Sequence, residues 1–163
     1  MPPLAALWFL PFILPLCLHT AYSDMKYMKI RDWNVQSMAM VFILIGPFVM
    51  SWETYLWQLG HLPIVLIIGM FLNAGGIMGA GDAKFIAAAS PFIAKSDLQF
   101  VFLLLAGAFI AGLVVHRTAR ATAIKNLVPT WESWVAGKRF PMGLPLAGAL
   151  SIYLIQLARG ALL

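Results

Sequence analysis

The hydrophobic and polar positions of this sequence fall in long blocks, with apolar runs separated by short clusters of charged residues. A helix rises about 1.5 Å per residue, so a run of about 20 residues crosses a hydrocarbon core of about 30 Å. The runs predict six transmembrane helices, at about residues 4–23, 35–52, 55–72, 76–94, 98–116 and 141–159.

The fourth predicted helix is the weakest of the six. Its uncharged run, Phe85–Ala94, is short and contains Pro91. We therefore expect this helix to begin earlier, near Gly76, and to carry Asp82 and Lys84 within it. An Asp at membrane depth costs roughly 2.5 to 3.5 kcal/mol on insertion scales, so its presence there calls for a functional reason.

Composition supports a membrane protein and sets the fold class. The chain is 62% apolar and 10% charged, against about 45–50% and about 25% in soluble domains. We predict an all-α, polytopic transmembrane helical bundle forming a single domain over residues 1–163. The lone Cys17 excludes a disulfide framework within the chain. The basic residues flank apolar segments, so we expect no nucleic-acid partner.

The first apolar run has a second interpretation as a secretory signal peptide. Ala21 and Ser23 place small residues where a cleavage site needs them. Against this, no basic residue precedes the run.

Positive charges are distributed unevenly between the predicted loops, and they orient the bundle. Nine of the eleven basic residues fall in or near the loops after helices one, three and five; they are Lys26, Lys29, Arg31, Lys84, Arg117, Arg120, Lys125, Lys138 and Arg139. Only Lys95 and Arg159 fall on the other side. We therefore predict that these three loops face the cytoplasm and that both chain termini are extracytoplasmic.

The longest predicted loop is the cytoplasmic segment 117–139. Its apolar residues follow helical spacing at Ile124, Leu127, Val128, Trp131, Trp134 and Val135. This spacing predicts an amphipathic segment on the membrane surface, interrupted near Pro129. A loosely ordered connector is the alternative.

The six acidic residues divide by their predicted positions. Glu53 and Asp97 fall in outer loops, Glu132 lies in the cytoplasmic segment, and Asp32 stands near the start of the second helix. Asp24 and Asp82 remain, and the predicted topology puts both at cytoplasmic helix ends, where they can form a pair.

Two neighbouring carboxylates provide the chemistry of an aspartic peptidase. They cannot both ionise readily, so one keeps a proton while the other is free to take a proton from water. The three histidines are isolated, and neither a His-Glu-x-x-His nor a Gly-x-Ser-x-Gly motif is present. Structural alternatives remain open: Asp82 could pair with Lys84 or cap a helix, Asp24 could be solvated, and the nearby glycines could serve helix packing.

The segment Gly79–Lys84 reads Gly-Ala-Gly-Asp-Ala-Lys and resembles the Gly-x-Gly-Asp-x-Lys motif of type IV prepilin peptidases, polytopic aspartic peptidases of the cytoplasmic membrane. Asp24 corresponds to the family's other Asp, which closes the first helix before a basic stretch. Residues 139–145 are similar to its Pro-Tyr-Gly segment, with Met142 where an aromatic is common. The chain departs from the family at Arg31-Asp32, where Pro-Asn is usual, and the change makes Asp32 a minor competitor for the catalytic role.

The resemblance implies the site residues. Asp24 and Asp82 would be catalytic, and Gly79, Gly81 and Lys84 would support them, with no metal and no cofactor. It does not identify substrate-binding residues; Ala87–Ala89 and Ala106–Gly112 are candidate docking surfaces for a substrate helix.

The resemblance also implies the activity, an aspartic endopeptidase that removes the basic leader peptide from prepilin or pseudopilin precursors at the cytoplasmic face. With one Cys and no paired Cys-x-x-Cys motifs, the chain is similar to the short, peptidase-only forms of tight-adherence (Flp-type) pilus systems. No methyltransferase activity is expected. The location would be the cytoplasmic (inner) membrane, as a multi-pass protein. Two other functions remain: a transporter or ion-relay subunit using Asp82 and Lys84, and a non-catalytic assembly factor of a pilus or secretion system.

Overall fold

A computed structural model describes residues 1–137 and 139–162, and within them every regular element is helical. Lys138 of the predicted cytoplasmic segment and Leu163 at the end of the predicted domain lie outside the described residues. The six α-helices are α1 (Pro3–Tyr27), α2 (Asp32–Val49), α3 (Trp52–Ala74), α4 (Ala80–Ala89), α5 (Leu98–Ala121) and α6 (Gly143–Arg159). The predicted all-α class is confirmed.

Four of these helical segments are long and apolar enough to cross a membrane. Three are α1, α2 and α3, and the fourth is Lys95–Ala121, which contains α5. The most apolar window of that fourth segment has a mean hydropathy of 2.5, and none of it is buried inside the protein. An exposed surface that is this apolar is typical of a helix surrounded by lipid. The count of six spans and the side of each terminus stay predictions.

The fourth helix differs from its predicted range of 76–94. It begins at Ala80, because the preceding residues form a turn in which Gly76 has a φ of 71° and Asn73 Nδ2 donates to the Met78 carbonyl at 2.8 Å. It ends at Ala89, and Pro91 lies in a short 3₁₀ helix, Ser90–Phe92. At about 1.5 Å per residue, ten residues cover about half of the hydrocarbon core.

Helix α1 lies at the centre of the bundle. It packs against α6 and α2, while α4 packs between α3 and α2, and α5 contacts the rest mainly through α6. The core contains an aromatic cluster in which the Phe9 ring stacks on Phe42 at 5.5 Å and meets Phe92 edge-on at 5.0 Å. Helix α1 supplies the buried side chains of Phe9, Ile13 and Cys17 to this core.

The predicted cytoplasmic segment 117–139 is not a single amphipathic helix. Helix α5 extends to Ala121, so Arg117 and Arg120 belong to it, and two 3₁₀ helices follow, Ala123–Leu127 and Glu132–Trp134. Pro129 lies between the two 3₁₀ helices. A continuous helix is interrupted there because proline lacks the backbone N–H that the helix would need. The expected apolar surface is present in part, since Leu127 and Val135 are each 81% exposed.

Candidate active site

Asp24 lies in the last turn of α1, and the backbone after it is tightly held. The N–H of Met28 donates to the Asp24 carbonyl at 2.9 Å, with Met28 in the left-handed region at a φ of 51°, and this ends the helix. The buried Ser23 hydroxyl donates to the Lys29 carbonyl at 2.8 Å. The predicted first helix thus extends past residue 23, and Asp24 is a helical residue, only 6% exposed.

The Asp24 carboxylate contacts the start of α6. The backbone N–H of Gly143, the first residue of α6, donates to Asp24 Oδ2 at 2.6 Å. The first N–H groups of a helix have no partner within it, and a carboxylate satisfies one of them. A glycine is needed at this position, because a Cβ there would lie 2.9 Å from the Asp24 Cβ and 3.0 Å from Oδ2.

Asp82 is the third residue of α4 and is half-buried. Its carboxylate folds back over Gly79, the residue that precedes the helix, so that a Cβ at Gly79 would lie 2.7 Å from Asp82 Oδ2. Gly81 lies against the loop between α1 and α2, where an added Cβ would be 3.3 Å from the Ile30 Cβ. The two glycines therefore permit close approach, one to the carboxylate and the other to a neighbouring loop.

One cavity of about 790 Å³ is lined by both Asp24 and Asp82. Its other walls come from the loop after α1, the turn before α4 and the segment before α6; they include Met28, Lys29, Ile30, Gly79, Gly81, Arg139, Phe140 and Met142. The two predicted catalytic residues are 58 residues apart in the sequence, and the structure places both on the wall of one cavity.

Lys84 does not pair with Asp82. Its Nζ lies 2.7 Å from Oδ1 of Asp32, the first residue of α2, and both side chains are about half exposed or more. The expected position of Asp32 at the start of the second helix is correct. This ion pair joins the start of α2 to the start of α4, two residues from Asp82.

A sequence profile of the type IV leader peptidase family matches residues 11–116. The chain belongs to the type IV leader peptidase family. The matched range includes Asp24, Asp82, Gly79, Gly81 and Lys84. No curated protein sequence and no solved structure matches the chain.

Type IV leader peptidases are aspartic peptidases, so membership makes this chain a peptidase, and its apolar helices make it a membrane protein. The cavity lined by Asp24 and Asp82 holds two carboxyl groups in one open space. The catalytic roles of the two residues stay predictions, and the structure adds their placement.

Two features of the site were not predicted from the sequence. Gly143 follows the matched range, and nothing in its local pattern indicates that its N–H meets a carboxylate 119 residues earlier. The sequence also does not predict the pairing of Lys84 with Asp32, although it places Asp32 among the acids near the site. The proposed docking surface Ala87–Ala89 is wrong, because these residues are at most 6% exposed and serve internal packing.

Proposed function

We propose that this chain is an aspartic endopeptidase that removes the basic leader peptide of prepilin-like precursors at the cytoplasmic face of the inner membrane. The observation that carries this proposal is the shared cavity of Asp24 and Asp82 in a member of the leader peptidase family. Its cytoplasmic orientation rests on the charge bias, since Lys26, Lys29 and Arg31 follow Asp24 directly.

The proposed reaction uses the two carboxyl groups in complementary states. The ionised carboxylate takes a proton from a water molecule, and the water oxygen attacks the scissile carbonyl carbon. The protonated carboxylic acid donates to the carbonyl oxygen, whose negative charge develops at that moment. The C–N bond then breaks as one hydroxyl of the tetrahedral intermediate returns its proton to the second carboxylate, and the proton taken from water passes to the leaving nitrogen.

A backbone contact supports this reaction by holding Asp24 in one orientation. The Gly143 N–H engages Oδ2 of Asp24, whereas Oδ1 makes no hydrogen bond to the described part of the chain. One carboxylate oxygen is thus fixed and the other remains available to water or substrate. Such fixing matters because reacting atoms must lie within about 3–3.5 Å of each other in a productive complex.

The substrate that fits this placement is a membrane-inserted precursor with a basic leader and one apolar helix. The peptide bond before that helix would reach the cavity from the membrane surface. We propose a peptidase without methyltransferase activity, which mass measurement of the mature product's N-terminus would check.

The test is a cleavage assay in cells. Candidate pilin precursors from the same genome are co-expressed with the chain, and leader removal is followed by a mobility shift. Asp24→Asn and Asp82→Asn should each abolish processing at unchanged membrane levels, because the amide can neither accept nor donate the catalytic proton. Asp32→Asn is the comparison, since it alters a neighbouring carboxylate outside the cavity lining, and it should slow processing severalfold at most, because only the ion pair with Lys84 is lost.

Undiminished processing with Asp24→Asn or Asp82→Asn would overturn the peptidase mechanism. The ion-relay and assembly-factor alternatives would then be preferred. They predict, respectively, a loss of ion flux in Asp82 variants and normal pilus assembly in Asp24 variants.

A further inference from the structure

A second polar cavity lies beside the candidate active site, at the end of α5. It has a volume of about 330 Å³ and is lined by residues of α5 and of the segment before α6, including Leu113, His116, Arg117, Arg120, Arg139 and Phe140. Three of these side chains carry guanidinium groups, and none of the described residues that line the cavity is an Asp or a Glu. The peptidase chemistry proposed above assigns no role to this site.

No carboxylate in the described part of the chain pairs with any of the three arginines. Within residues 1–137 and 139–162, the only ion pair joins Lys84 to Asp32. Arg120 is held in place by its Nη1, which donates to the Gly137 carbonyl at 2.9 Å. Three clustered positive charges without an anionic partner repel one another, so their arrangement favours a bound anion.

His116 provides a second, independent indication of a ligand. Its side chain is 4% exposed, and its Nε2 is buried with no hydrogen-bond partner in the described part of the chain. The His116 ring is fixed between aromatic neighbours. It stacks on Trp134, with ring centroids 5.1 Å apart, and meets Phe140 edge-on, with ring centroids 5.6 Å apart. Burying a polar atom without a partner is unfavourable, and an acceptor from a ligand would offset that cost.

The pattern of apolar and basic residues around the cavity indicates the source of the anion. Helix α5 is apolar and lipid-exposed up to Val115 and becomes basic at Arg117. The neighbouring connector exposes Leu127 and Val135 almost fully, as a segment lying on the membrane surface does. The change from apolar to basic on one helix marks the depth at which lipid headgroups lie.

We propose that this cavity binds the phosphate group of an anionic phospholipid. The guanidinium groups of Arg117, Arg120 and Arg139 would surround the phosphate oxygens, since planar guanidinium groups match phosphate geometry. His116 Nε2, when it carries the hydrogen, adds a neutral donor. Basic pockets at the cytoplasmic ends of transmembrane helices are suited to such headgroups.

The experiment measures lipid binding directly and does not depend on cleavage. The full chain, in mild detergent, is titrated with phosphatidylglycerol or phosphatidylcholine, and bound lipid is counted by native mass spectrometry. Phosphatidylglycerol should bind in preference to phosphatidylcholine. The triple variant Arg117→Gln/Arg120→Gln/Arg139→Gln should bind phosphatidylglycerol roughly a hundredfold more weakly, because each basic residue at a membrane surface contributes about a factor of five.

The matched control removes three positive charges elsewhere. Lys95→Gln/Lys125→Gln/Arg159→Gln lowers the net charge equally but changes no residue lining this cavity, so it should bind as the unchanged chain does. His116→Phe keeps an aromatic ring between Trp134 and Phe140 but removes the donor, and should weaken binding by about twofold to fivefold. Thermal unfolding of each variant reports folding, and the single, exposed Arg117→Gln replaces the triple if the triple unfolds.

Three results would overturn the proposal: equal binding of the two lipids, equal losses in the cavity and control triples, or displacement of bound lipid by inorganic phosphate at the same concentration. The last would make the cavity a site for soluble phosphate. A loss of cleavage without a change in lipid binding would affect the proposed function alone.

Discussion

The Gly143 N–H and the Asp24 carboxylate, 2.6 Å apart, join the beginning of the last helix to the end of the first. The contact fixes one oxygen of a predicted catalytic residue by a backbone group that cannot change rotamer. It also accounts for the glycine, since a side chain at position 143 would occupy the space of the carboxylate. The geometry of Asp24 therefore depends on how α1 packs against α6.

Replacing this glycine tests that dependence. In Gly143→Ala, the added Cβ would lie 2.9 Å from the Asp24 Cβ, so the carboxylate or the start of α6 must shift by several tenths of an ångström. Misplacement of a catalytic group by about 1 Å can cost about a hundredfold in rate, so we expect leader cleavage to fall by roughly tenfold to a hundredfold. Initial rates on a purified precursor measure the effect.

Gly148→Ala is the control, because it lies on the same helix and its Cβ would meet nothing within 4 Å. It should cleave at the normal rate. Equal activity of the two variants would show that the Gly143 contact does not position Asp24 for catalysis.

The glycine before α4 gives a second prediction. Gly79 has a φ of −66°, which alanine adopts without strain, so Gly79→Ala tests space alone. Its Cβ would lie 2.7 Å from Asp82 Oδ2, and the carboxylate must rotate away. We expect cleavage to fall by about tenfold or more, with a normal amount of protein in the membrane.

Gly60→Ala serves as the comparison for Gly79→Ala, since nothing lies within 4 Å of its added Cβ. A Gly79→Ala enzyme as active as Gly60→Ala would indicate that Asp82 tolerates displacement and is not a catalytic group.

Short-range features of the fold followed from the sequence, and so did the location of Asp24 and Asp82 at one place, whereas the contacts that hold each side chain did not. Apolar runs are local, so the all-α class and the first helix up to residue 23 could be predicted, with Asp24 placed directly after it. The start of α4 at Ala80 could not, because it depends on the hydrogen bond from Asn73 to Met78 and on the left-handed Gly76. The partners of Asp24 and Lys84 depend on which helices pack together, and no local pattern encodes that.

The aromatic cluster gives a prediction about stability. Phe42 is fully buried and touches Phe9, Phe92 and Tyr55. Phe42→Ala would leave a cavity between α1, α2 and the turn after α4, and should lower the free energy of unfolding by about 3–5 kcal/mol. Phe48→Ala on the same helix is the matched control, because Phe48 is 89% exposed and should change it little. Thermal unfolding in detergent compares the two; equal midpoints would contradict this description of the core.

The ion pair between Lys84 and Asp32 gives the last prediction. The side chains are 47% and 64% exposed, so in water the pair would contribute at most about 1 kcal/mol. Its expected effect is on position: Lys84→Met would loosen the start of α4 near Asp82 and lower the cleavage rate severalfold, with a smaller effect on substrate affinity. The swapped variant Asp32→Lys/Lys84→Asp restores opposite charges and should recover part of the rate. Lys95→Met, which removes a charge far from α4's beginning, should have no effect. If the swap is as slow as or slower than Lys84→Met, Lys84 acts by some means other than its contact with Asp32.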